Sequence, residues 1–246
     1  MTEPLAVQLY TVREQLAADR KGTLEALASC GYRSVEAYDV LDGPEEQRAD
    51  LDAAGLTVCS AHVPALGERA EDAFRGAGVL GTDTVFVPYL PPERFADGDG
   101  VRQVARDLNE AARRAAGHGL RLGYHNHEFE LAQHVGGRPA LEVLADQLDD
   151  EVLLEVDTYW AAVGGQDVVP LLRRLGGRVT HLHIKDGPLD KAEPMTAVGA
   201  GRMAMGAIVA EAVKPPAKKL IVELDRCATD MLTAVRESHE WLEAHR

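Results

Sequence analysis

Positive charge is scarce in this sequence. Its 26 Lys and Arg face 40 Asp and Glu, a net charge of −14 with histidine counted neutral. A surface of that sign repels polyanions, so nucleic acid and anionic membrane are not expected partners. Cysteine is scarcer still. Cys30, Cys59 and Cys227 are odd in number and show no CxxC spacing, which predicts neither a disulfide framework nor a zinc knuckle. No apolar run reaches the ~18–20 residues that span a bilayer. The opening MTEPLAVQLYTV has no basic start followed by a long apolar stretch, so no signal peptide is predicted. These absences together point to a cytoplasmic protein. The glycine-rich nucleotide turn of a doubly wound sheet is also missing, because the stretch after the first apolar run reads YTVREQLA. Nothing in the composition divides the chain, so residues 1–246 are expected to form one domain, with KPPAKK (214–219) a surface connection inside it.

What is present is a repeat of two periods. Short apolar runs (LAVQLY, RSVEAY, LTVCSAHV, TDTVFVPYL, LRLGYHNH, EVLLEVDTYW, RVTHLHIKD and KLIVELD) begin near residues 5, 33, 57, 83, 120, 151, 178 and 219. Between them LEALASCG, VRQVARDLNEAARRAAGHG, ALEVLADQL, VVPLLRRLGG and MLTAVRESHEWLEAH place apolar residues at helical spacing. Gly31, Gly55, Gly119 and Gly177 stand where helices should stop. Eight strand–helix units of ~31 residues predict an α/β fold, a single (β/α)8 TIM barrel.

Four of the later runs end in metal-ligand side chains: His125 and His127, then Asp157, His183 and Glu223, roughly one strand–helix unit apart. In a parallel barrel all of them reach the C-terminal mouth. Strand alternation puts His181, His183 and Lys185 on one face, as it does Glu155 with Asp157 and Glu223 with Asp225. Polar groups on an inward face are costly to desolvate unless paired or metal-bound. They form either a set of buried ion pairs or a metal site. Two imidazoles and two carboxylates (His125, Asp157, His183, Glu223) suit one Mn, Zn, Co or Fe ion better than Mg or Ca. Four protein ligands leave coordination open for water or substrate. Lys185 either bonds a substrate oxygen or pairs with Asp186 or Asp225. VGAGR (198–202) is either a plain loop or an anion site with Arg202 as its cation.

These motifs carry a resemblance. From QLYTVRE (8–14) through VELD (222–225), with YHNHEFE, DTYW followed by GGQD, and HIKDG as its specific parts, the chain resembles the xylose isomerase-like sugar phosphate isomerase/epimerase superfamily. That resemblance implies metal ligands on strands five to eight, of types Glu, Asp, His and Glu. Asp157, His183 and Glu223 match the last three, whereas His125 stands at the first. It also places Tyr10, Glu36, His62 and Trp160 in a substrate pocket. Trp160 stands where the related endonuclease IV has a zinc-binding His, and a Trp cannot complete such a cluster.

The implied activity is a metal-dependent isomerase or epimerase of a keto or aldehydo sugar or polyol, working by α-proton abstraction through an enediolate. Glu223 is the expected base, with His125 or His127 returning the proton. The alternative is a lyase or dehydratase of a keto-inositol or 3-keto-glycoside, in which β-elimination follows the same abstraction. A metal phosphodiesterase is disfavoured by the charge and by Trp160. A homo-oligomer, with a partner closing the pocket over the short loops, stays open beside the monomer.

Overall fold

The computed structural model describes residues 4–246 and is a closed barrel of eight parallel strands. These are β1 (Ala6–Gln8), β2 (Ser34–Ala37), β3 (Thr57–His62), β4 (Thr84–Val87), β5 (Arg121–His125), β6 (Leu153–Asp157), β7 (Val179–Ile184) and β8 (Lys219–Val222). Each pairs with the next in chain order, and Ala6 opposite Ile221 closes the ring. The single domain inferred from the repeat is therefore the (β/α)8 barrel.

A helix follows every strand and covers the outer face. Gly98–Ala116 shows why the sequence folds this way. Asp97 caps it by accepting from the Asp99 and Gly100 amides at 3.0 and 2.8 Å. Val101, Val104, Ala105, Leu108, Ala111 and Ala115 then form one buried stripe. The turn before β7 departs from expectation by one residue. Gly176, at φ 64°, takes the positive-φ position at the helix end, and it and Gly177 open a short 3₁₀ turn.

The loop after β5 carries a small ribbon, His134–Val135 against Arg138–Pro139. Gly136 and Gly137, at φ 61° and 83°, supply the left-handed pair that such a two-residue turn requires. Among the described residues no helix is long and apolar enough to cross a membrane.

Apolar residues fill the layer between strands and helices, including Leu27, Val35, Phe74, Leu108, Leu141 and Leu171. Much of the barrel's inner face is polar instead. Gln8, Glu36, His62, His125, Glu155, Asp157, His181, His183, Lys185 and Glu223 are all buried. Burial on that scale is tolerated only where each group finds a partner, so the partners define the site.

Candidate functional site

Backbone structure aims the key side chains. Asp157 ends β6 and caps the helix Thr158–Val163, its Oδ1 accepting from the Trp160 amide at 2.8 Å. Its own amide donates to Asn126 Oδ1 at 3.1 Å, tying the ends of β5 and β6 together. Thr158 Oγ1 donates to the His183 carbonyl at 2.9 Å, so β7 is fixed to the same corner. Asp157 Oδ2 is left without a hydrogen-bond donor of good geometry.

His125, Asp157, His183 and Glu223 bring one donor atom each within 4.8 Å of one another, all buried. Small movements would let an ion with ~2.0–2.3 Å ligand distances reach all four. The Asp157 Oδ2, which accepts no hydrogen bond and faces the Lys185 ammonium at 2.9 Å, and the mixed imidazole–carboxylate set fit a divalent transition metal.

Beneath this mouth set lies a second layer. His183 offers Nδ1 to Glu223 Oε2 at 2.7 Å and Nε2 to Glu36 Oε2 at 2.6 Å. Glu36 also accepts from Gln8 Nε2 at 2.8 Å. Glu155 Oε2 lies 2.7 Å from His62 Nε2, 3.0 Å from His125 Nδ1 and 3.3 Å from His183 Nε2. One buried carboxylate thus gathers three imidazoles. A carboxylate behind a ligating histidine fixes its tautomer and raises its basicity, the role this layer could serve for the mouth. His62, His125, Glu155 and His183 also form a ligand-type cluster of their own.

Electrostatics divide the groups. Burial alone would push His183 down, but Glu155, Glu223 and Glu36 outweigh it and raise it well above the usual imidazole range. Burial and the neighbouring His183 charge drive His125 well below that range. Burial, then the Lys185 charge, lower His127 to about 4, so it is a neutral imidazole at physiological pH. Burial raises Asp157 to about 6 against the pull of Lys185. Burial works to raise Glu223 too, yet Lys185 and His183 hold it well below the usual carboxylate range.

The mouth cavity encloses about 360 Å³ and is lined by Tyr10, Tyr38, His62, Pro88, Tyr89, His125, His127, Lys185, Glu223 and Asp225. That is within the range of small-molecule sites. Tyr10 and Tyr89, 40% and 51% exposed, stand at its rim. Arg13 holds Tyr10 by stacking over its ring at 4.2 Å and donating to its carbonyl.

The expected residues do not all meet the cavity. Tyr10, His62, His125, His127, Lys185 and Glu223 line it. Glu36 lies deeper, behind His183, and is fully buried. Trp160 is outside the lining, its ring 5.5 Å from Lys185 Nζ. Arg202 is exposed and away from the mouth, its amide bonded to the Gly187 carbonyl. The VGAG glycines serve Asp186: it accepts from the Gly199 and Met203 amides at 2.9 and 3.0 Å, and a Cβ at Gly201 would meet its Oδ1 at 2.1 Å. The loop is thus bound to an internal carboxylate instead of being open to an external anion.

The two carboxylates that follow His127 lie outside the four-residue cluster. Glu128 pairs with Lys191 at the surface. Glu130 is buried, accepting from the Tyr124 hydroxyl at 2.5 Å and the His127 amide at 2.9 Å. Sequence reasoning missed Tyr38, Tyr89 and the gathering role of Glu155. For Glu155 the signal was present, since it shares a strand face with Asp157.

Comparison with known proteins agrees with this fold. The family model described as xylose isomerase-like TIM barrel matches residues 24–245. Inosose dehydratase of Mesomycoplasma hyopneumoniae (strain 7448) is 30% identical over 111 residues, 45% of this chain and 34% of the relative. The match therefore spans about a third of that curated relative's length. A sugar phosphate isomerase/epimerase from Parabacteroides distasonis ATCC 8503 superposes with a TM-score of 0.84 at 24% identity, covering 99% of this chain and 95% of its own. A probable 3-DHS dehydratase from Bacillus anthracis gives a TM-score of 0.74 at 12% identity, covering 98% and 99%. At those identities the two structures establish likeness of fold alone.

Proposed function

Because this chain belongs to the xylose isomerase-like TIM barrel family, we propose that it is a divalent-metal-dependent isomerase or epimerase of a keto or aldehydo sugar or polyol. The carrying observation is the convergence of His125, Asp157, His183 and Glu223 from the ends of four successive strands, with His125 and Glu223 lining the mouth cavity and Asp157 and His183 buried behind them. An ion held by these four residues would act as a Lewis acid, making the C–H beside a carbonyl more acidic.

The protein's own groups supply the rest. Glu223 lines the cavity as a carboxylate and is the group that would remove the α proton. His127 lines the same cavity as a neutral imidazole, a group that can hold a proton or return it. Lys185 adds positive charge where an oxyanion would develop. Tyr10 and Tyr89 at the rim offer aromatic faces and hydroxyls to a sugar ring and narrow the entrance for water.

A second reading is a dehydratase, in which proton abstraction is followed by loss of a β hydroxyl. Two observations favour it: His125 stands where a second glutamate would complete a two-carboxylate proton exchange, and the sequence relative above is an inosose dehydratase. Both readings share the first step. Incubation of Mn²⁺-loaded protein with a panel of keto sugars and keto-polyols in deuterated water separates them. Deuterium at the α carbon of an intact sugar supports isomerisation or epimerisation, and a product lighter by one water supports the dehydratase. Turnover without either would overturn the shared step.

A further inference from the structure

Lys185 stands inside the ligand set it would have to share with a metal. Its Nζ lies 2.6 Å from Glu223 Oε2 and 2.9 Å from Asp157 Oδ2, two of the four candidate ligand residues. A third carboxylate, Asp225, is also 2.9 Å away. The three contacts are unequal in kind. Asp225 accepts the hydrogen bond of best geometry, whereas Asp157 and Glu223 meet the ammonium at ion-pair distance with poorer alignment. Asp225 is also the outermost, its side chain 32% exposed against 0% for Asp157 and 6% for Glu223. The lysine itself is 1% exposed.

Buried charges need compensation, and two cations cannot share one carboxylate pair without strong repulsion. We propose that the Lys185 ammonium is the resident counter-ion of Asp157 and Glu223, and that metal entry shifts it onto Asp225. Resting on the metal-dependent reading above, this makes Lys185 the residue that limits metal affinity and Asp225 the one that relieves the limit. The shift is short. Lys185 keeps the hydrogen bond it already makes to Asp225 and gives up its contacts with Asp157 and Glu223. Its Nζ stays at the cavity wall, 5.5 Å from the Trp160 ring, which offers a cation a favourable face. In the metal-loaded protein the ammonium then faces substrate, anchored by a carboxylate that is not a ligand.

The test is Mn²⁺ and Zn²⁺ affinity, measured by chelator competition on wild type, Lys185→Met, Asp225→Asn and the double variant. Lys185→Met should bind metal at least ~10-fold more tightly, since the ligands no longer have an internal competitor. Asp225→Asn should bind several-fold more weakly, and that loss should vanish in the Lys185→Met background, because Asp225 acts only through the lysine. Equal or weaker binding by Lys185→Met overturns the exchange while leaving the metal site standing. A loss from Asp225→Asn that persists in the double variant also overturns it. Binding by none of the four proteins overturns the metal-dependent function and this inference together. If Lys185→Met does not fold, Lys185→Gln keeps the polarity and removes the charge, and the same comparison applies.

Discussion

His183 reaches across the barrel to Glu36, Nε2 to Oε2 at 2.6 Å, although the two residues belong to strands β7 and β2. The other nitrogen of the same ring faces Glu223 at the mouth. The imidazole therefore links a buried acceptor to the candidate metal position. Glu36→Gln keeps the side-chain volume and removes the charge. The expected result is a ~10–100-fold loss of metal affinity with the mouth residues unchanged. Titration of folded variant and wild type with Zn²⁺ would decide, and identical affinities would remove Glu36 from the metal's support.

Asp157 combines two jobs, helix cap and candidate ligand. Asp157→Asn preserves an acceptor for the Trp160 amide but lowers the charge available to a cation. Elemental analysis of the purified variant should find metal content well below that of wild type. Helicity by circular dichroism should hold. Full occupancy in the variant would leave the four-strand cluster a set of buried ion pairs.

Glu130 should make stability pH-dependent. Burial raises it from 4.5 to about 7 despite the Tyr124 hydrogen bond. The folded protein then holds a proton that the unfolded chain releases between those two values. More protons bound in the folded state mean that stability falls as pH rises through that window, then levels off. The largest possible effect is about 3 kcal/mol. Glu130→Gln cannot ionise, so its melting temperature relative to wild type should climb between pH 5 and pH 8. A difference that stays constant across that range would contradict the shift.

Gly123 lies on β5 against its neighbours. A Cβ there would sit 2.4 Å from the Phe86 ring and 2.7 Å from the Leu153 carbonyl. Gly123→Ala should lower unfolding free energy by about 1–3 kcal/mol, read from urea denaturation. An unchanged midpoint would mean that β4 and β6 yield more readily than a barrel interior should.

Cys59 is half-buried on β3, its thiol 3.2 Å from the Val35 carbonyl and pushed up to about 11, chiefly by burial. Iodoacetamide at pH 8 should label it far more slowly in the folded protein than in urea, because little of the thiol is ionised. Equal labelling rates in the folded and unfolded protein would contradict the raised thiol.

Much of the barrel was legible along the chain. Strand starts inferred near 5, 33, 57, 83, 120, 151, 178 and 219 lie within two residues of Ala6, Ser34, Thr57, Thr84, Arg121, Leu153, Val179 and Lys219. Runs of apolar residues, helical stripes and stop glycines report conformations set by neighbours a few positions away. The meeting of His125, Asp157, His183 and Glu223 was legible for the same reason, because equal strand–helix units bring strand ends to one rim. Glu36 and Arg202 show where that reasoning stops. Position at a strand end does not say whether a side chain meets the cavity or turns beneath a histidine, nor whether a loop glycine serves a ligand or Asp186.

The sequence by itself determined that eight strand–helix units close a barrel and that its last four strands carry ligand-type side chains at one end. Those properties follow from periodicity and spacing, which are local. Only the tertiary structure decided which nitrogen of His183 faces which carboxylate, that Glu155 gathers three imidazoles, and that Lys185 lies between Asp157 and Glu223 with its hydrogen bond on Asp225. Each of those relations joins residues from different strands. It depends on the radius and closure of the whole barrel, and on how buried charges find compensation once water is gone.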